Sequence, residues 1–582
     1  MSILKELIED LKADLKQAGY EVETLALEPS NRRDLGEYQL NDAMQLAKAY
    51  HENPREIATK IVKVLEEDNR FENINIAGPG FINISLSDSY TKEILNRMNQ
   101  DLFSNIEKKE KKKIIIDYGG ANVAKALHVG HLRSANIGEA LKRLARMMGY
   151  EVLGDAHLGD YGRPLGFVVL EIQKMYPELP YFDKDYTGDF SELTLPITNE
   201  DLEKIYPLAS QKAKEDESYL EEGREVTNKI QNHERGYYDL WKKIVEISKE
   251  DIKNVYDLLN TEFDLWLGES DAAEYFEELN QIFEEKELLV ESEGAKIVHL
   301  EEENDKAPMP PLLFVKSNGT LSYETTDLAA ILQRKKEYNP DEIWYVVDNR
   351  QGLHFEQIFR ATRKAKLVDD NVVLEHVGFG TMNGKDGKPF KTRDGGVMSL
   401  KGLIALVKEE TLKRLSPETV GEEEKDSIAM DVAIAALKYA DLLPYRETDY
   451  VFEVEKFSDL EGKTGPYLLY STIRMKSLLK KAEGIDAKEI QKLKGEAEKN
   501  IALTLLELPT VLNHALESKS LSEITEFIYQ LTSYYNKFYA ENKVLTEEDK
   551  ELQESWIVLT SLVYKVNTML LDILGMKVPE KM

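Results

Sequence analysis

Two histidines held three residues apart across a glycine, His128-Val129-Gly130-His131, are the side chains of this sequence best suited by type and spacing to do chemistry. They follow the aliphatic run Ile114-Ile115-Ile116, which reads as a short buried strand closed by Asp117 and the turn pair Gly119-Gly120. From Leu132 onward apolar residues recur at helical spacing (Leu141, Leu144, Ala145, Met148), and Gly149 can cap that helix. The histidines therefore sit where a strand hands over to a helix. Free backbone N–H groups and the helix dipole favour phosphate at such a point. Two imidazoles there add donors to a phosphoryl group whose charge is shifting, and Gly130 lets a nucleotide approach the backbone. The competing reading is a metal pair, but this spacing, with no nearby cysteine or third histidine, makes a poor zinc set. A four-residue match is weak alone; the strand and helix around it give it weight.

The elements that must position this turn can be read at low resolution. A chain of 582 residues exceeds a single core and implies three or four domains. Residues 1 to about 100 read as an α+β unit. Helical stretches around Ile3–Gln17 and Asn41–Glu66 precede alternating segments at Ile74–Ile76 and Phe81–Ser85, separated by Gly78-Pro79-Gly80. The lysines after Asn105 suit a linker. The strand–loop–helix pattern from 114 continues into a second strand at Tyr150–Leu153. A polar, mostly helical stretch between about 170 and 260 reads as an insertion, after which strands return at Ile343–Val347 and Val372–Leu374. From roughly 400 the pattern is helical to the end.

Composition excludes some functions and leaves others open. With no cysteine there are no disulfides, thiolate metal sites or cysteine nucleophiles. No run of about 18 apolar residues is present, so no membrane span is expected. The N-terminus reads as an amphipathic helix, not a signal peptide, and a cytoplasmic location is expected. The formal charge of −32 speaks against nucleic acid as a partner. Local basic stretches at Lys108–Lys113, Arg360–Lys366 and Arg474–Lys499 keep it open, because phosphates respond to fields within ~10 Å.

The run Asn122-Val-Ala-Lys125…His128-Val-Gly-His-Leu-Arg-Ser134 resembles the "HIGH" region of class I aminoacyl-tRNA synthetases, in the form found in bacterial-type arginyl-tRNA synthetases. His157-Leu-Gly-Asp-Tyr-Gly162, Gly268-Glu-Ser270, Thr326-Asp327, Gln351–Phe355, Glu461–Tyr467 and Val578–Met582 resemble family segments in family order. The resemblance implies an α/β Rossmann-like catalytic domain with a helical insertion, an N-terminal α+β domain and a C-terminal all-α helical bundle. The expected boundaries are 1–105 for the N-terminal tRNA-binding domain and 106–400 for the catalytic domain, then 401–459 for a helical connector and 460–582 for the anticodon-binding domain.

The implied activity is that of an arginine–tRNA ligase, with ATP as substrate, Mg²⁺ as its companion and no metal site in the protein. L-arginine and its tRNA are the implied partners, and a monomer is expected. Arginine's carboxylate would attack the α-phosphorus of ATP, and the arginyl group would then pass to the 3′ end of the tRNA. An α-carboxyl group with pKa ~3.5 needs no general base. The resemblance gives catalytic roles to His128, His131, Lys125 and Gly130, and ATP contacts to these histidines with Val129, Gly130, His354, Lys391 and Arg393. Arginine falls to Asn122, Glu269, Tyr323, Asp327 and Gln351, and tRNA to Phe81, Asn83, Tyr467, Tyr535 and Met582. The second class I signature is degenerate: in Phe390–Ser399, Asp394 stands where a lysine is usual, and Lys125 is the implied substitute. Two alternatives remain at this level. One is a small-molecule nucleotidyltransferase sharing the histidine turn; the other is a catalytically silent, synthetase-like RNA-binding protein.

Overall fold

The computed structural model describes residues 3–30, 35–103, 106, 108–317, 319–388, 398–415 and 421–582. Two compact units share the chain. One comprises 110–466, 519–522 and 572–582; the other comprises 1–109, 467–518 and 523–571.

The first unit is organised by a parallel sheet of four strands: β1 (Lys113–Asp117), β2 (Glu151–Asp155), β3 (Glu342–Tyr345) and β4 (Val373–His376), in the order β4-β3-β1-β2. Ile114, Ile115 and Ile116 are all fully buried, as expected of a central strand covered on both faces. From β1 the chain crosses to β2 on one side, while β3 lies on the other. The sequence therefore reverses direction between β1 and β3, and the crevice outside their carboxyl ends is where such sheets bind ligands. Helix α1 (Gly130–Met147) leaves that crevice. Gly149 follows it with φ +103°, the left-handed conformation expected of a residue that ends a helix. Packing of α1 on the sheet needs Gly138, because a Cβ there would stand 2.2 Å from the Tyr118 ring.

Between about 163 and 258 four helices, Arg163–Met175, α2 (Asn199–Glu215), Glu217–Gln231 and Tyr237–Leu258, close around Phe167, Leu202, Ile205, Tyr219 and Trp241. A small antiparallel sheet (Val290–Ser292, Ala295–Val298, Leu312–Val315) then leads into α3 (Tyr323–Tyr338), which precedes β3. Helix α4 (Gly352–Ala365) follows β3.

In the second unit a four-stranded antiparallel sheet orders Leu27–Pro29, Tyr38–Leu40, Phe81–Leu86 and Phe71–Ala77. The stretch expected as one helix over 41–66 is two, Ala43–Tyr50 and Pro54–Leu65. His51 adopts φ 55°, and the Asn53 side chain caps the second helix at Arg55 N–H (2.9 Å). Proline cannot continue a helix from the first segment, but it suits the first turn of the next. This sheet domain packs directly on the helical bundle: Asn96 donates to the Ile490 carbonyl and accepts its N–H. The bundle is built from Gly465–Lys481, Glu496–Ser518, Ser522–Glu541 and Lys550–Ile573. By length and apolarity Lys550–Ile573 could cross a membrane, but 67% of its apolar window is buried in the bundle, as in a core helix.

Candidate active site

The histidine turn is fixed from three directions. Ser134, in the second turn of α1, accepts the Gly119 N–H (2.8 Å) and donates to the Val346 carbonyl (2.7 Å), so one hydroxyl ties together the ends of β1 and β3. Upstream, Ala121 and Val123 pair with Gly159, with N···O distances of 2.9 and 3.1 Å. Downstream, Val129 N–H donates to Met398 and Leu400 N–H donates to Leu127, so the end of the degenerate signature lies against the histidine turn through a single antiparallel bridge, His128 to Ser399. Deeper in α1, Arg133 and Asn136 both bond Asp441, at 3.0 and 2.9 Å.

Within the turn the two imidazole centroids are 4.1 Å apart. Gly130 N–H donates to His128 Nδ1 (3.0 Å), and His128 N–H donates to His131 Nδ1 (3.1 Å). With Nδ1 accepting, a neutral His128 carries its proton on Nε2; His131 Nδ1 lies 3.1 Å from the His128 N–H and 3.2 Å from its carbonyl, so it can accept from the one or donate to the other. Burial, with Lys125 adding to it, lowers His128 from its ordinary value; burial and the neighbouring His128 lower His131 to about 3. At pH 7 both are neutral donors. His128 keeps a polar Nε2–H to offer an oxyanion.

His128, Val129 and Gly130 line a cavity of about 1120 Å³ together with Lys125. Its opposite wall is one face of α2, from Glu203 through Tyr206 and Ser210 to Lys214, and its far end is Phe379–Met382. Neither Lys125 nor Lys214 has a carboxylate partner among the described residues. Of the two acids lining the cavity, Asp348 is held by Arg350 (2.8 Å), so no cluster of free carboxylates faces the histidines. Lys391 and Arg393 lie outside the described residues, as does Asp394.

A second constellation brings together Glu269, Tyr323 and Asp327, three of the residues expected to hold arginine. Glu269 follows Gly268, whose Cβ position is filled by the Asp160 carboxylate, 2.4 Å from where a Cβ would stand. Asp160 in turn accepts from Ser270 N–H (2.9 Å) and its hydroxyl (2.6 Å). Burial, then the Asp327 and Asp160 charges, raise Glu269 to about 8. Tyr323 and Asp327 are one turn apart at the start of α3. Asn122 is exposed beside Gly159 on the loop after β1, and Gln351 is exposed at the entry to α4.

One residue expected at ATP lies elsewhere than the histidine cavity. His354 does not line the histidine cavity; its Nε2 is 2.6 Å from Asp327 Oδ2 and its ring stacks on Tyr323. The spacing Gln351…His354 places it on the inward side of the first turn of α4, a direction that sequence alone does not fix. The group Asp117, Asp155 and His157 has metal-like spacing, but Arg334 reaches both carboxylates, at 2.6 and 2.7 Å, and supplies the positive charge there.

Two tRNA candidates are also corrected. Asn83 is fully buried, its amide taken by Gln39 and Asn75 at 3.0 Å each, so it braces the sheet and offers no edge to a base. Tyr535 is fully buried in the bundle. Phe81 is half-exposed beside the Gly78–Gly80 turn, Tyr467 accepts from Asn536 (2.8 Å), and Met582 is half-buried. The sequence reading missed a cavity of about 440 Å³ in the bundle, where the Arg474 guanidinium lies 4.8 Å from the Tyr470 ring centroid and 5.4 Å from that of Tyr539, with Lys481 and Lys543 on the rim. A tyrosine four residues before an arginine on one helix face was the available signal.

Comparison with known proteins decides the family. The family described as "tRNA synthetases class I (R), catalytic domain" matches residues 92–454. The arginyl-tRNA synthetase N-terminal domain matches 4–86 and the DALR anticodon-binding domain matches 468–582. The arginine–tRNA ligase of Alkaliphilus oremlandii is 42% identical over the full length of both chains, and that of Agathobacter rectalis 41%. The chain belongs to the arginyl-tRNA synthetase family. The crystal structure of the family member from Plasmodium falciparum covers 99% of both chains with a TM-score of 0.79 at 25% identity. The Thermus thermophilus enzyme shares the fold, with a TM-score of 0.76 at 20% identity over all of both chains. Membership removes the two alternatives left open by the sequence: it makes the chain a class I aminoacyl-tRNA synthetase that charges tRNA with arginine.

Proposed function

We propose that arginine is activated between the two constellations described above, with its guanidinium on Glu269, Tyr323 and Asp327 and its carboxylate turned toward the histidine cavity, where ATP binds. The observation that carries this reading is the neutral His128 imidazole, stacked against His131, in one cavity with a lysine that has no carboxylate partner among the described residues. Attack of the ionised carboxylate on the α-phosphorus forms one P–O bond and breaks another, releasing pyrophosphate. The protein needs only to align the anions and stabilise charge on the phosphoryl oxygens. His128 and His131 donate to those oxygens, and Lys125 meets the departing pyrophosphate. Mg²⁺ enters with ATP, held by phosphate oxygens and water.

At the other end of the substrate, two carboxylates can engage the five-donor guanidinium fork, which lysine's ammonium cannot match. Tyr323 offers a ring face for stacking, and Asn122 and Gln351 take the α-amino and carboxylate groups. For tRNA, Phe81 is the stacking candidate of the N-terminal domain. In the bundle, Arg474 between Tyr470 and Tyr539 has the aromatic and cationic make-up of a single-stranded base pocket.

Asp327→Ala tests the arginine half. Removing one partner of a charged, half-desolvated pair costs roughly 2–5 kcal/mol, so steady-state charging should show a strongly raised KM for arginine and a KM for ATP within about twofold. An unchanged arginine KM would place the guanidinium elsewhere.

A further inference from the structure

His354 is set where it can act on two of the arginine-contact residues at once. Its Nε2 lies 2.6 Å from Asp327 Oδ2, and its ring stacks on Tyr323 with centroids 4.6 Å apart and planes inclined by 22°. Tyr323 and Asp327 are four residues apart on α3, so they point to the same side, and His354 reaches them from the first turn of α4. The histidine is 9% exposed, whereas Tyr323 is 54% exposed. One face of the tyrosine ring rests on His354, which leaves the other for a ligand.

The two nitrogens of His354 have different surroundings. Nε2 faces the carboxylate, but Nδ1 is enclosed and has no hydrogen-bond partner. Of the two neutral tautomers, Nε2–H suits this arrangement, because its proton points at Asp327. Such a ring orients the carboxylate without neutralising it. A lysine or arginine in the same place would cancel the charge that must attract a guanidinium, and an apolar residue would leave the carboxylate free to rotate.

We infer that His354 is the positioning residue of the arginine pocket, holding the Asp327 carboxylate and the Tyr323 ring in the geometry that receives a guanidinium; the inference rests on the arginine pocket proposed above. Asp327 keeps one oxygen for His354 and turns the other outward, while Tyr323 is propped flat. The cation then meets a fixed acceptor and a fixed π face, so little side-chain order has to be created on binding.

The test uses the full-length enzyme with its tRNA. His354→Phe keeps the buried volume and the stack on Tyr323 but deletes the donor; His354→Gln restores a neutral N–H donor. Each is measured alone and combined with Asp327→Ala, with KM for arginine and for ATP determined separately. Loss of a hydrogen bond to a charged group predicts a rise of about 10- to 100-fold in the arginine KM for His354→Phe. The ATP KM should stay within about twofold, and His354→Gln should recover most of the loss. In the Asp327→Ala background His354→Phe should add nothing further, because the group it orients is gone; a purely structural defect would persist there. A rise confined to the ATP KM, or an effect undiminished by Asp327→Ala, overturns the inference. If Asp327→Ala alone leaves the arginine KM unchanged, the arginine pocket itself is wrong; if Asp327→Ala raises it and His354→Phe does not, only the role given to His354 is wrong, and the two failures are thus distinguishable.

Discussion

Glu269 is the residue whose environment and proposed task, holding a guanidinium, are most at odds. Burial and two neighbouring carboxylates raise it to about 8, so in the empty site at pH 7 it carries a proton, yet a guanidinium requires it ionised. Binding must release that proton. The sign follows directly: below about pH 8 arginine competes with a proton for Glu269, and above it the carboxylate is already charged. The arginine KM should therefore fall as pH rises from 6.5 toward 8.5 and then level off. Glu269→Gln should flatten that profile while raising KM throughout, and a KM independent of pH would contradict the assignment. The histidines should contribute no limb near pH 8, since burial holds both below the ordinary imidazole value.

Lys125 carries a separate residue-scale prediction. It is exposed on the histidine turn and lines the same cavity. Lys125→Ala should lower the activation rate by about 10²–10³-fold, the range for deleting one transition-state donor, with arginine binding nearly intact. Asp394→Lys should partly restore the rate by returning a cation to the phosphates. Near-wild-type activity in Lys125→Ala would refute the compensation.

At this scale the sequence was informative about residue types and much less so about where side chains end up. The histidine pair, its glycine and the strand before it could be read directly, because the signal is local. The destinations of Asn83, Tyr535 and His354 depend on partners 8 to 44 residues away in the chain, and nothing local distinguishes a base-reading amide from a buried brace.

At the scale of elements, the site depends on how closely α1 packs on β1. Gly138 faces Tyr118, and the Tyr118 hydroxyl is 2.8 Å from the Glu139 carboxylate. Gly154 admits the same ring from the β2 side, where a Cβ would stand 2.9 Å away. Gly138→Ala should displace Tyr118 and lower stability by about 1–3 kcal/mol. It should also disturb the Ser134 hydroxyl bridge one turn earlier, and with it the histidines. Thermal unfolding and activation kinetics of the variant check both; an unchanged melting temperature would show that the ring relaxes freely. Helices and strands were largely legible from periodicity, including the buried run of β1 and the glycine end of α1. The helix break at Asn53-Pro54 was missed although its cause is local, since the apolar spacing resumes in phase on the far side. The pairing of Met398–Leu400 with the histidine turn is a contact across 270 residues and left no trace in either segment.

At the scale of the molecule, a net charge of −32 and an RNA substrate are compatible because basic and aromatic groups are concentrated locally, as around Arg474 in the bundle. Composition could not have decided this; the ordered family segments did. The two compact units divide the labour between them, one carrying the histidine and arginine constellations, the other the bundle pocket and the Phe81 turn. An enzyme organised in this way can let tRNA binding complete the activation site. The most direct test of the central claim is pyrophosphate exchange by the full-length protein, run with each of the twenty amino acids, with and without tRNA. The account predicts exchange with arginine alone, and only when its tRNA is present. Exchange with another amino acid and none with arginine would contradict it.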